Sequence, residues 1–406
     1  MILNSNKFSS YSYNDITIVP CTITDISSRS ECDPFVKGDK LPIFTAPMAT
    51  VVNEFNISLW ESNHIIPIIP RNVGAGHDKG VRSSTVARYL NNGYWTALSL
   101  NEFEEMFVKH PIGEPSKAYN ICIDLANGHM MRLYTLINTA KELSREHNYN
   151  LTIMTGNIAN PETYKWICEN AEVDYIRVSI GTGANCITST QTGIHYPIGN
   201  LISECRDIQR NVKPYIDVRS FSQYTKYRSC PKIIADGGIR GYADVIKALA
   251  LGADYVMIGS VFTGLLESAA PLNITSDNSL YNISFDCNTG KINNGIEWGD
   301  KSIWDGSYPE NLKRDLISDT KEIIKESFGM STKKAQKMIN PDAKTKTSEG
   351  CTKYIKVTQT IKQWSDNMTD YLKSAMSYAG KRSLAGFTGK VNLIINSPAT
   401  TASVNK

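Results

Sequence analysis

Short runs of β-branched and aromatic residues recur along the first two thirds of the chain, and longer mixed stretches separate most of them. The runs predict strands at 15–20, 41–46, 65–69, 94–98, 119–124, 151–154, 175–180, 232–235 and 255–258. The intervening stretches predict helices at 131–146, 161–170, 197–206 and 242–251. This alternation is typical of parallel strands joined by crossover helices.

We therefore predict an α/β fold, a (β/α)8 TIM barrel with surface insertions. Such a barrel needs about 250 residues, which a chain of 406 residues accommodates as one catalytic domain over 1–396. An open doubly wound sheet is the alternative, but the glycine-rich turn expected after its first strand is missing. An insertion is predicted around 271–320, which is rich in Asn, Asp, Ser and Gly, and a disordered tail at 397–406.

Composition narrows the classes of partner. The formal net charge is only +3, so bulk charge indicates neither a nucleic-acid nor a membrane partner, while a small anionic substrate stays open. No window reaches membrane-spanning length. The nine cysteines are irregularly spaced and form no CxxC pattern, which fits a reducing compartment. We expect a cytoplasmic protein.

One cysteine stands apart from the others. Cys186 lies on a glycine-rich turn directly after the predicted strand at 175–180, where barrel enzymes carry their chemistry. Gly181 and Gly183 allow main-chain groups to approach a ligand or ion closely. The sequence around Cys186 favours a thiol nucleophile, although an ordinary unpaired thiol is the plainer interpretation of most cysteines.

The segment 181–197 resembles the catalytic loop of the IMP dehydrogenase and GMP reductase superfamily, in which Gly-x-Gly-Ser-x-Cys-Thr-Thr-Arg precedes Thr-Gly-x-Gly-Tyr-Pro. The chain departs from that pattern at Ala184, Ile187, Ser189 and His195. The resemblance implies that Cys186 is the nucleophile and that Thr188 takes part in catalysis. It also implies a possible potassium ion on the carbonyls of Gly181, Gly183 and Cys186.

Two turns after late strands resemble the superfamily's nucleotide-monophosphate site. Asp236, Gly237 and Gly238 follow one strand, and Gly259 and Ser260 follow the next. Each motif alone is more simply a tight turn, but glycine amides at successive barrel loops can hold phosphate, and a carboxylate can bind ribose hydroxyls.

Other matches concern the cofactor. Asp124, Asn127 and Gly128 resemble the Asp-x-Ala-Asn-Gly-Tyr of GMP reductases, although Asn127-Gly128 could simply form a turn. Asn157 lies in a segment similar to Met-Ala-Gly-Asn-Val. By resemblance these residues, with Arg71 near the phosphates, bind NADPH.

The last matches complete the substrate site. Gly329, Met330 and Ser331 resemble a Tyr-Gly-Met-Ser turn that meets the purine and phosphate, and Lys346 and Glu349 lie in a segment similar to Arg-Ala-Ser-Glu-Gly. The resemblance pairs Glu349 with Thr188 as a proton relay. Without the resemblance, Glu349 would be interpreted as an exposed charge in a lysine-rich loop.

Three features favour the reductase branch over the dehydrogenase branch. No arginine lies between Arg314 and Arg382, the segment from Met330 to Glu349 is too short for the dehydrogenase flap, and the segment from Arg71 to Asp124 leaves no room for a regulatory CBS-type domain.

The resemblance therefore implies NADPH-dependent reductive deamination of GMP to IMP in a homotetramer. Departures at Ala49, Ser189, Lys346 and Cys351 leave alternatives open. These are oxidation of IMP with NAD, action on a deoxy or modified purine nucleotide, and nucleotide binding without catalysis.

Overall fold

The computed structural model describes residues 10–75, 79–212, 215–216, 227–276, 279–286, 291–293, 296–297, 322–342 and 344–404. Its strands are β1 (Ile16–Ile18), β2 (Ile43–Thr45), β3 (Ile68–Ile69), β4 (Trp95–Leu98), β5 (Ala118–Ile123), β6 (Asn150–Ile158), β7 (Tyr175–Val178), β8 (Tyr215–Ile216), β9 (Tyr227–Arg228), β10 (Lys232–Asp236), β11 (Tyr255–Ile258), β12 (Leu272–Ser276), β13 (Ser279–Asp286), β14 (Lys291–Asn293), β15 (Ile296–Glu297), β16 (Glu322–Phe328), β17 (Thr352–Lys356) and β18 (Leu393–Ile395). Its α-helices are α1 (Ile57–Ser62), α2 (Lys79–Asn91), α3 (Leu100–Glu104), α4 (Met131–Glu146), α5 (Pro161–Asn170), α6 (Thr188–Thr192), α7 (Ile198–Asn211), α8 (Tyr242–Leu251), α9 (Ser260–Thr263), α10 (Lys333–Ile339), α11 (Ile361–Tyr378), α12 (Leu384–Phe387) and α13 (Pro398–Val404).

A parallel barrel forms the centre of the molecule. In the described part of the chain, eight parallel strands make one sheet in the order β2, β11, β10, β7, β6, β5, β4, β3. The two end strands meet at a parallel bridge between Phe44 and Ile66, where Thr45 N donates to Ile66 O at 3.0 Å. This bridge closes the sheet, so the predicted TIM-barrel fold is confirmed.

The barrel strands carry apolar side chains on both faces. Phe44, Cys122, Met154, Ile234 and Met257 belong to one buried cluster, which fills the barrel interior. Their immediate neighbours along the strands, among them Ile121, Ile153, Ile233 and Val256, belong to the larger cluster under the helices. Because side chains alternate between faces along a strand, such continuous apolar runs fit a sheet that is covered on both sides.

The helices cover the outside of the barrel. The predicted bounds of α4, α5 and α8 agree with the structure, whereas α7 continues to Asn211, five residues past the predicted end. Helix α4 buries Leu133, Ile137 and Ala140 along one face, which is the spacing of a helix packed on one side. Among the described residues, no helix is long and apolar enough to cross a membrane.

Two predicted segments near the chain ends have other roles than those expected. Strand β1 pairs antiparallel with β18, with Ile16 opposite Ile395, so it lies outside the barrel sheet. Within 397–406, where the sequence predicts disorder, Pro398–Val404 forms helix α13.

A second sheet begins where the barrel ends. Within the described ranges, strands β12 to β17 form an antiparallel sheet in the order β15, β14, β13, β12, β16, β17. We call the described residues from 322 to 356, which hold β16, α10 and β17, the β16–β17 arm. Fully buried Lys325 fastens this arm to the barrel, because its Nζ donates to Ser268 O at 2.6 Å and contacts Ser268 Oγ at 3.1 Å. The described part of the predicted insertion is therefore β-structure that extends this arm.

Candidate functional site

A cavity of roughly 300 Å³ opens at the carboxyl ends of the barrel strands, which is where TIM-barrel enzymes carry their active sites. Most of the residues singled out from the sequence line it: Arg71, Asp124, Asn157, Gly181, Gly183, Cys186, Thr188, Asp236, Gly237, Gly238, Gly259, Ser260, Gly329, Met330 and Ser331. Segments far apart in the chain therefore contribute to one cavity.

The loop that carries Cys186 has a tightly constrained backbone. Gly181 has a φ of 78°, and a Cβ at this position would lie 2.6 Å from the Cβ of Ser189. Cys186 N donates to Gly183 O at 2.9 Å. A glycine is required at 181 because both the backbone conformation and the space exclude a side chain. We call residues 181–188 the cysteine loop.

The β16–β17 arm holds the cysteine loop by main-chain contacts. Ile187 N donates to Glu349 O at 2.9 Å, and Cys351 N donates to Asn185 O at 2.9 Å. Cys186 and Gly350 form an antiparallel bridge between these two contacts. The segment that carries Glu349 is therefore fixed against the nucleophile loop by backbone geometry.

This arrangement joins three side chains in series. The Cys186 Sγ donates to Thr188 Oγ1 at 3.2 Å, and Thr188 Oγ1 donates to Glu349 Oε2 at 2.7 Å. All three residues are partly buried. A thiol, a hydroxyl and a carboxylate in this order can move a proton from sulfur to oxygen.

A buried charge network lies beside the cysteine loop. Arg177 donates through Nε to Asp236 Oδ2 at 2.9 Å and through Nη1 to Asp124 Oδ1 at 2.9 Å. Asn157 Nδ2 also donates to Asp236 Oδ2, at 2.7 Å. Burial by itself would lower the pKa of Arg177, but the neighbouring Asp236, Cys122 and Asp124 outweigh it, and the pKa lies above its ordinary value. The guanidinium therefore stays charged and orients both carboxylates.

Asp124 has an arginine on each side. Arg71 Nε lies 3.2 Å from Asp124 Oδ2, and Arg177 holds the other oxygen. Burial alone would raise the pKa of Asp124, but Arg71 and Arg177 reverse this effect and hold the pKa below its ordinary value. Asp124 is therefore a buried carboxylate that stays ionised near neutral pH.

The turns at Gly237, Gly238 and Gly259, which we call the glycine cradle, bring main chain without side chains to the cavity. Gly237 has a φ of 105°, and a Cβ there would lie 2.5 Å from Thr182 Oγ1. Gly238 has a φ of 75°, and a Cβ at Gly259 would lie 2.7 Å from Met48 Sδ. Because side chains are excluded, main-chain amides form this wall of the cavity.

The turn at Gly329 to Ser331 also lines the cavity. It follows β16 directly, after buried Phe328, and Ala49 N lies 3.4 Å from Met330 Sδ. Met330 therefore lines the cavity with its sulfur directed toward Ala49 N.

Four predicted residues do not line the cavity. Glu349 reaches it only through Thr188, and Gly128 supports it from outside, because Gly128 N donates to Asn157 O at 2.8 Å. Asn127 is exposed, and its Oδ1 accepts a hydrogen bond from His129 N at 3.0 Å. Lys346 is exposed, and its main-chain N donates to Gln336 Oε1 at 2.7 Å. The structure therefore does not bring Asn127 and Lys346 to the cavity.

Two of the three carbonyls considered for potassium, those of Gly181 and Gly183, already accept hydrogen bonds. Gly181 O accepts from Ser189 Oγ at 3.1 Å, and Gly183 O accepts from Cys186 N at 2.9 Å. Each oxygen keeps a second lone pair. In the described part of the chain, no cluster of three or more His, Cys, Asp or Glu side chains has the arrangement of a metal site.

Sequence reasoning missed Arg177, Asn185 and Ser327. A signal existed for Arg177, since it is the single charged residue in β7, the strand that leads into the cysteine loop. Asn185 and Ser327 are 142 residues apart, and only the fold brings Asn185 Nδ2 within 2.6 Å of Ser327 Oγ.

Comparison with known proteins agrees with this geometry. Residues 10–284 match the family model described as the IMP dehydrogenase / GMP reductase domain. The chain is 30% identical to a GMP reductase of Staphylococcus carnosus over 279 residues, which is 67% of this chain and 76% of that protein. It is 31% identical to a GMP reductase of Bacillus thuringiensis subsp. konkukian over 282 residues, which is 67% of this chain and 76% of that protein. It is 29% identical to a GMP reductase of Helicobacter pylori over 273 residues, which is 65% of this chain and 74% of that protein.

Proposed function

The chain belongs to the IMP dehydrogenase and GMP reductase family, and from this premise we propose that it converts GMP to IMP and ammonia with NADPH as the reductant. The reductase direction is preferred because the relatives named above are GMP reductases. It is preferred also because no arginine lies between Arg314 and Arg382 to activate a water molecule, as the dehydrogenase branch requires.

The observation that carries the proposal is the series Cys186, Thr188, Glu349, with contacts of 3.2 and 2.7 Å. A nucleotide-binding protein without catalysis has no use for a thiol connected through a hydroxyl to a carboxylate. Reductive deamination needs both a nucleophile and a group that returns a proton to the departing amine.

In this proposal a purine nucleoside monophosphate would lie along the cavity in one direction. The phosphate would lie on the amides of Gly237, Gly238 and Ser260, and the ribose would meet Asp236, whose contacts with Arg177 and Asn157 all converge on Oδ2. The base would extend between Met330 and the sulfur of Cys186.

The reaction then uses the proton relay in both directions. The thiol proton passes through Thr188 to Glu349, and the thiolate forms a bond to purine C2. The bond between C2 and its amine breaks while Glu349 returns the proton through Thr188, so the amine leaves as ammonia. After reduction at C2, the carbon–sulfur bond breaks, IMP is released, and the thiolate regains a proton from solvent.

NADPH, when bound, supplies the hydride that takes the place of the amine at C2. Asp124, Asn157 and Arg71 are the residues proposed to hold it, and all three line the cavity. Asp124 and Asn157 also contact Arg177 and Asp236, which fixes the positions from which they would meet the cofactor.

Two further expectations belong to the same proposal. Potassium, which favours main-chain oxygen ligands, would bind at the carbonyls of Gly181, Gly183 and Cys186. The active assembly would be a homotetramer. Measuring turnover with potassium replaced by sodium tests the potassium site. Measuring the mass of the assembly in solution tests the homotetramer.

The experiment that tests the function follows the loss of reduced-nicotinamide absorbance with GMP and NADPH, with ammonia assayed alongside. Equal loss of NADPH and gain of ammonia is the expected result, and Cys186→Ala should abolish both while GMP still binds. Formation of NADH from IMP and NAD would instead assign the dehydrogenase reaction. No reaction in either direction, with GMP bound, would contradict both and indicate a binding protein or another purine substrate.

A further inference from the structure

One residue at the start of the cysteine loop has a backbone conformation that side chains rarely adopt. Ser179 follows the last residue of β7 and has a φ of 140°. The other described residues with a positive φ, glycines aside, have values between 57° and 65°, which is the left-handed helical region. A side chain outside that region at positive φ is strained, and such strain persists only where the surrounding structure fixes it.

Two contacts fix Ser179 in this conformation. Ser179 is buried at the cavity wall, and its N donates to Ile158 O at 2.8 Å, which continues the pairing of β7 with β6. Its Oγ shares a hydrogen bond with Thr182 Oγ1, further along the chain in the cysteine loop. The barrel therefore holds the main chain of Ser179, and the cysteine loop holds its side chain.

Thr182 connects Ser179 with the glycine cradle. A Cβ at Gly237 would lie 2.5 Å from Thr182 Oγ1, and a Cβ at Gly238 would lie 3.8 Å from Thr182 Cβ. The hydroxyl that contacts Ser179 is therefore also the atom that packs closest to Gly237. The contact between the two hydroxyls fixes the position of the cysteine loop on the cradle.

The far end of the cysteine loop is attached elsewhere. Ile187 N donates to Glu349 O at 2.9 Å, so the β16–β17 arm holds that end, and Cys186 lies between the two attachments. If the attachment at Ser179 is lost, the loop can shift relative to the cradle while its contact with the arm remains. A misplacement of about 1 Å between reacting groups can slow a reaction by about a hundredfold.

The chemistry of residue 179 explains why strain is retained there. A glycine would adopt a φ of 140° without strain, but it would carry no hydroxyl. In the described part of the chain, Thr182 is the hydrogen-bond partner of the Ser179 Oγ. The contact with Thr182 is therefore what serine provides at this position and glycine does not.

We propose that Ser179 is a positioning residue, which holds Thr182 against the glycine cradle and thereby sets the distance between the sulfur of Cys186 and a ligand on that cradle. The inference deepens the proposed function and rests on it in one respect, that a ligand on the cradle reacts with Cys186.

Ser179→Gly and Ser179→Ala separate activity from stability. Both variants lose the hydroxyl, but only glycine accepts the backbone conformation, so the unfolding midpoint of Ser179→Gly should exceed that of Ser179→Ala by about 2 °C. At an unstrained position the order is reversed, because glycine loosens the unfolded chain. The kcat should fall about tenfold in both variants. A kcat that follows stability, with Ser179→Gly as active as the wild type, would overturn the proposal.

The partner hydroxyl gives an independent test. Thr182→Val removes it with little change of shape and should lower kcat as much as Ser179→Ala. The double variant Ser179→Ala/Thr182→Val should be no slower than either single variant, because all three break the same contact. Thr182→Ser keeps a hydroxyl and should recover most of the rate. Losses that multiply to about a hundredfold in the double variant would overturn the proposal. If Ser179→Ala does not fold, Ser179→Gly takes its place in this comparison.

Ser116→Gly is the matched control. Ser116 is exposed and has a φ of 65°, and it lies outside the residues that line the cavity. Its N donates to Asn148 O at 2.7 Å. Its replacement should leave kcat unchanged. A loss as large as that of Ser179→Gly would show that kcat responds to any serine replaced at positive φ, and it would overturn the proposal.

Alkylation of Cys186 by iodoacetamide provides a measurement that needs no turnover. The modified peptide is quantified by mass spectrometry after treatment of the full chain without nucleotide. Because a released loop exposes the partly buried sulfur, Cys186 in Ser179→Gly should react about threefold faster than in the wild type. An unchanged rate would overturn the inference whether or not the wild type turns over GMP. Faster alkylation in a protein that does not turn over GMP would support the inference and contradict the reaction.

Discussion

Arg177 holds Asp236 by a single carboxylate oxygen. Its Nε and Nη2 each lie 2.9 Å from Asp236 Oδ2, and Asn157 Nδ2 reaches the same atom at 2.7 Å. In the described part of the chain no such contact is seen at Oδ1, so this oxygen keeps its capacity to accept a hydrogen bond. Arg177 thus fixes the position of the Asp236 carboxylate through Oδ2 and leaves Oδ1 able to accept a hydrogen bond.

Replacing Arg177 should therefore affect stability and binding together. Arg177→Met leaves Asp124 and Asp236 buried without their shared cation, and we expect the free energy of unfolding to fall by about 3 kcal/mol. Urea unfolding followed by circular dichroism measures the change.

Arg145→Met is the matched control for Arg177→Met. Arg145 pairs with Glu172 at 2.7 Å, but its side chain is 42% exposed, so the loss should stay below about 1 kcal/mol. Similar losses of unfolding free energy in the two variants would show that burial does not increase the contribution of the Arg177 ion pairs to stability.

Glu349→Gln tests the proton relay. The amide keeps the shape of the side chain but cannot take up a proton, so kcat should fall by about 10²–10³ while the affinity for GMP stays nearly constant. Steady-state kinetics and calorimetry measure the two quantities. Glu326→Gln alters a carboxylate of the same arm that pairs with Lys334, and it should leave kcat unchanged. Full activity of Glu349→Gln would remove Glu349 from the mechanism.

Gly237→Ala tests the glycine cradle. Its new Cβ would lie 2.5 Å from Thr182 Oγ1 at a φ of 105°, so we expect weaker GMP binding as well as lower stability. Gly93→Ala has a similar φ of 79° but open space around the new Cβ, and it should cost only about 1 kcal/mol of stability. The prediction is wrong if Gly93→Ala weakens GMP binding as much as Gly237→Ala.

The buried carboxylate of Asp124 predicts a pH dependence. Its pKa is lower in the folded protein than its ordinary value of 3.8, so the unfolded state binds the proton more readily. The contribution of Asp124 to stability is therefore complete above pH 4 or so and is lost as the pH falls through the folded pKa. Urea unfolding of the wild type and Asp124→Asn from pH 7 down to about pH 3 measures this, and the stability difference should shrink as the pH falls. A constant difference would contradict the assignment.

The sequence predicted those parts of the molecule that local patterns determine. The barrel strands are apolar runs, and the bounds of α4, α5 and α8 follow from their spacing and from caps such as Asn160. The strands β12 to β15 were not predicted, because their polar composition resembles a loop and their pairing depends on neighbours across the sheet.

The residues of the candidate site likewise divide into those that local sequence patterns predict and those that they do not. Cys186, Asp236 and the glycine turns stand out in the sequence because their local spacing is unusual. Arg177 and the contact between Asn185 and Ser327 depend on which side chains the closed barrel and the arm bring together, and no local pattern specifies that. Lys346 was chosen by resemblance to a motif, and its exposure separates it from the cavity.

The β16–β17 arm contributes both the Met330 turn and Glu349, one on each side of α10. The surface expected to support the base and the group expected to accept the thiol proton therefore belong to one arm of the structure. Main-chain hydrogen bonds from Ile187 N to Glu349 O and from Cys351 N to Asn185 O join this arm to the cysteine loop. The contact between Thr188 and Glu349 therefore depends on the same stretch of chain that lines the cavity at Met330.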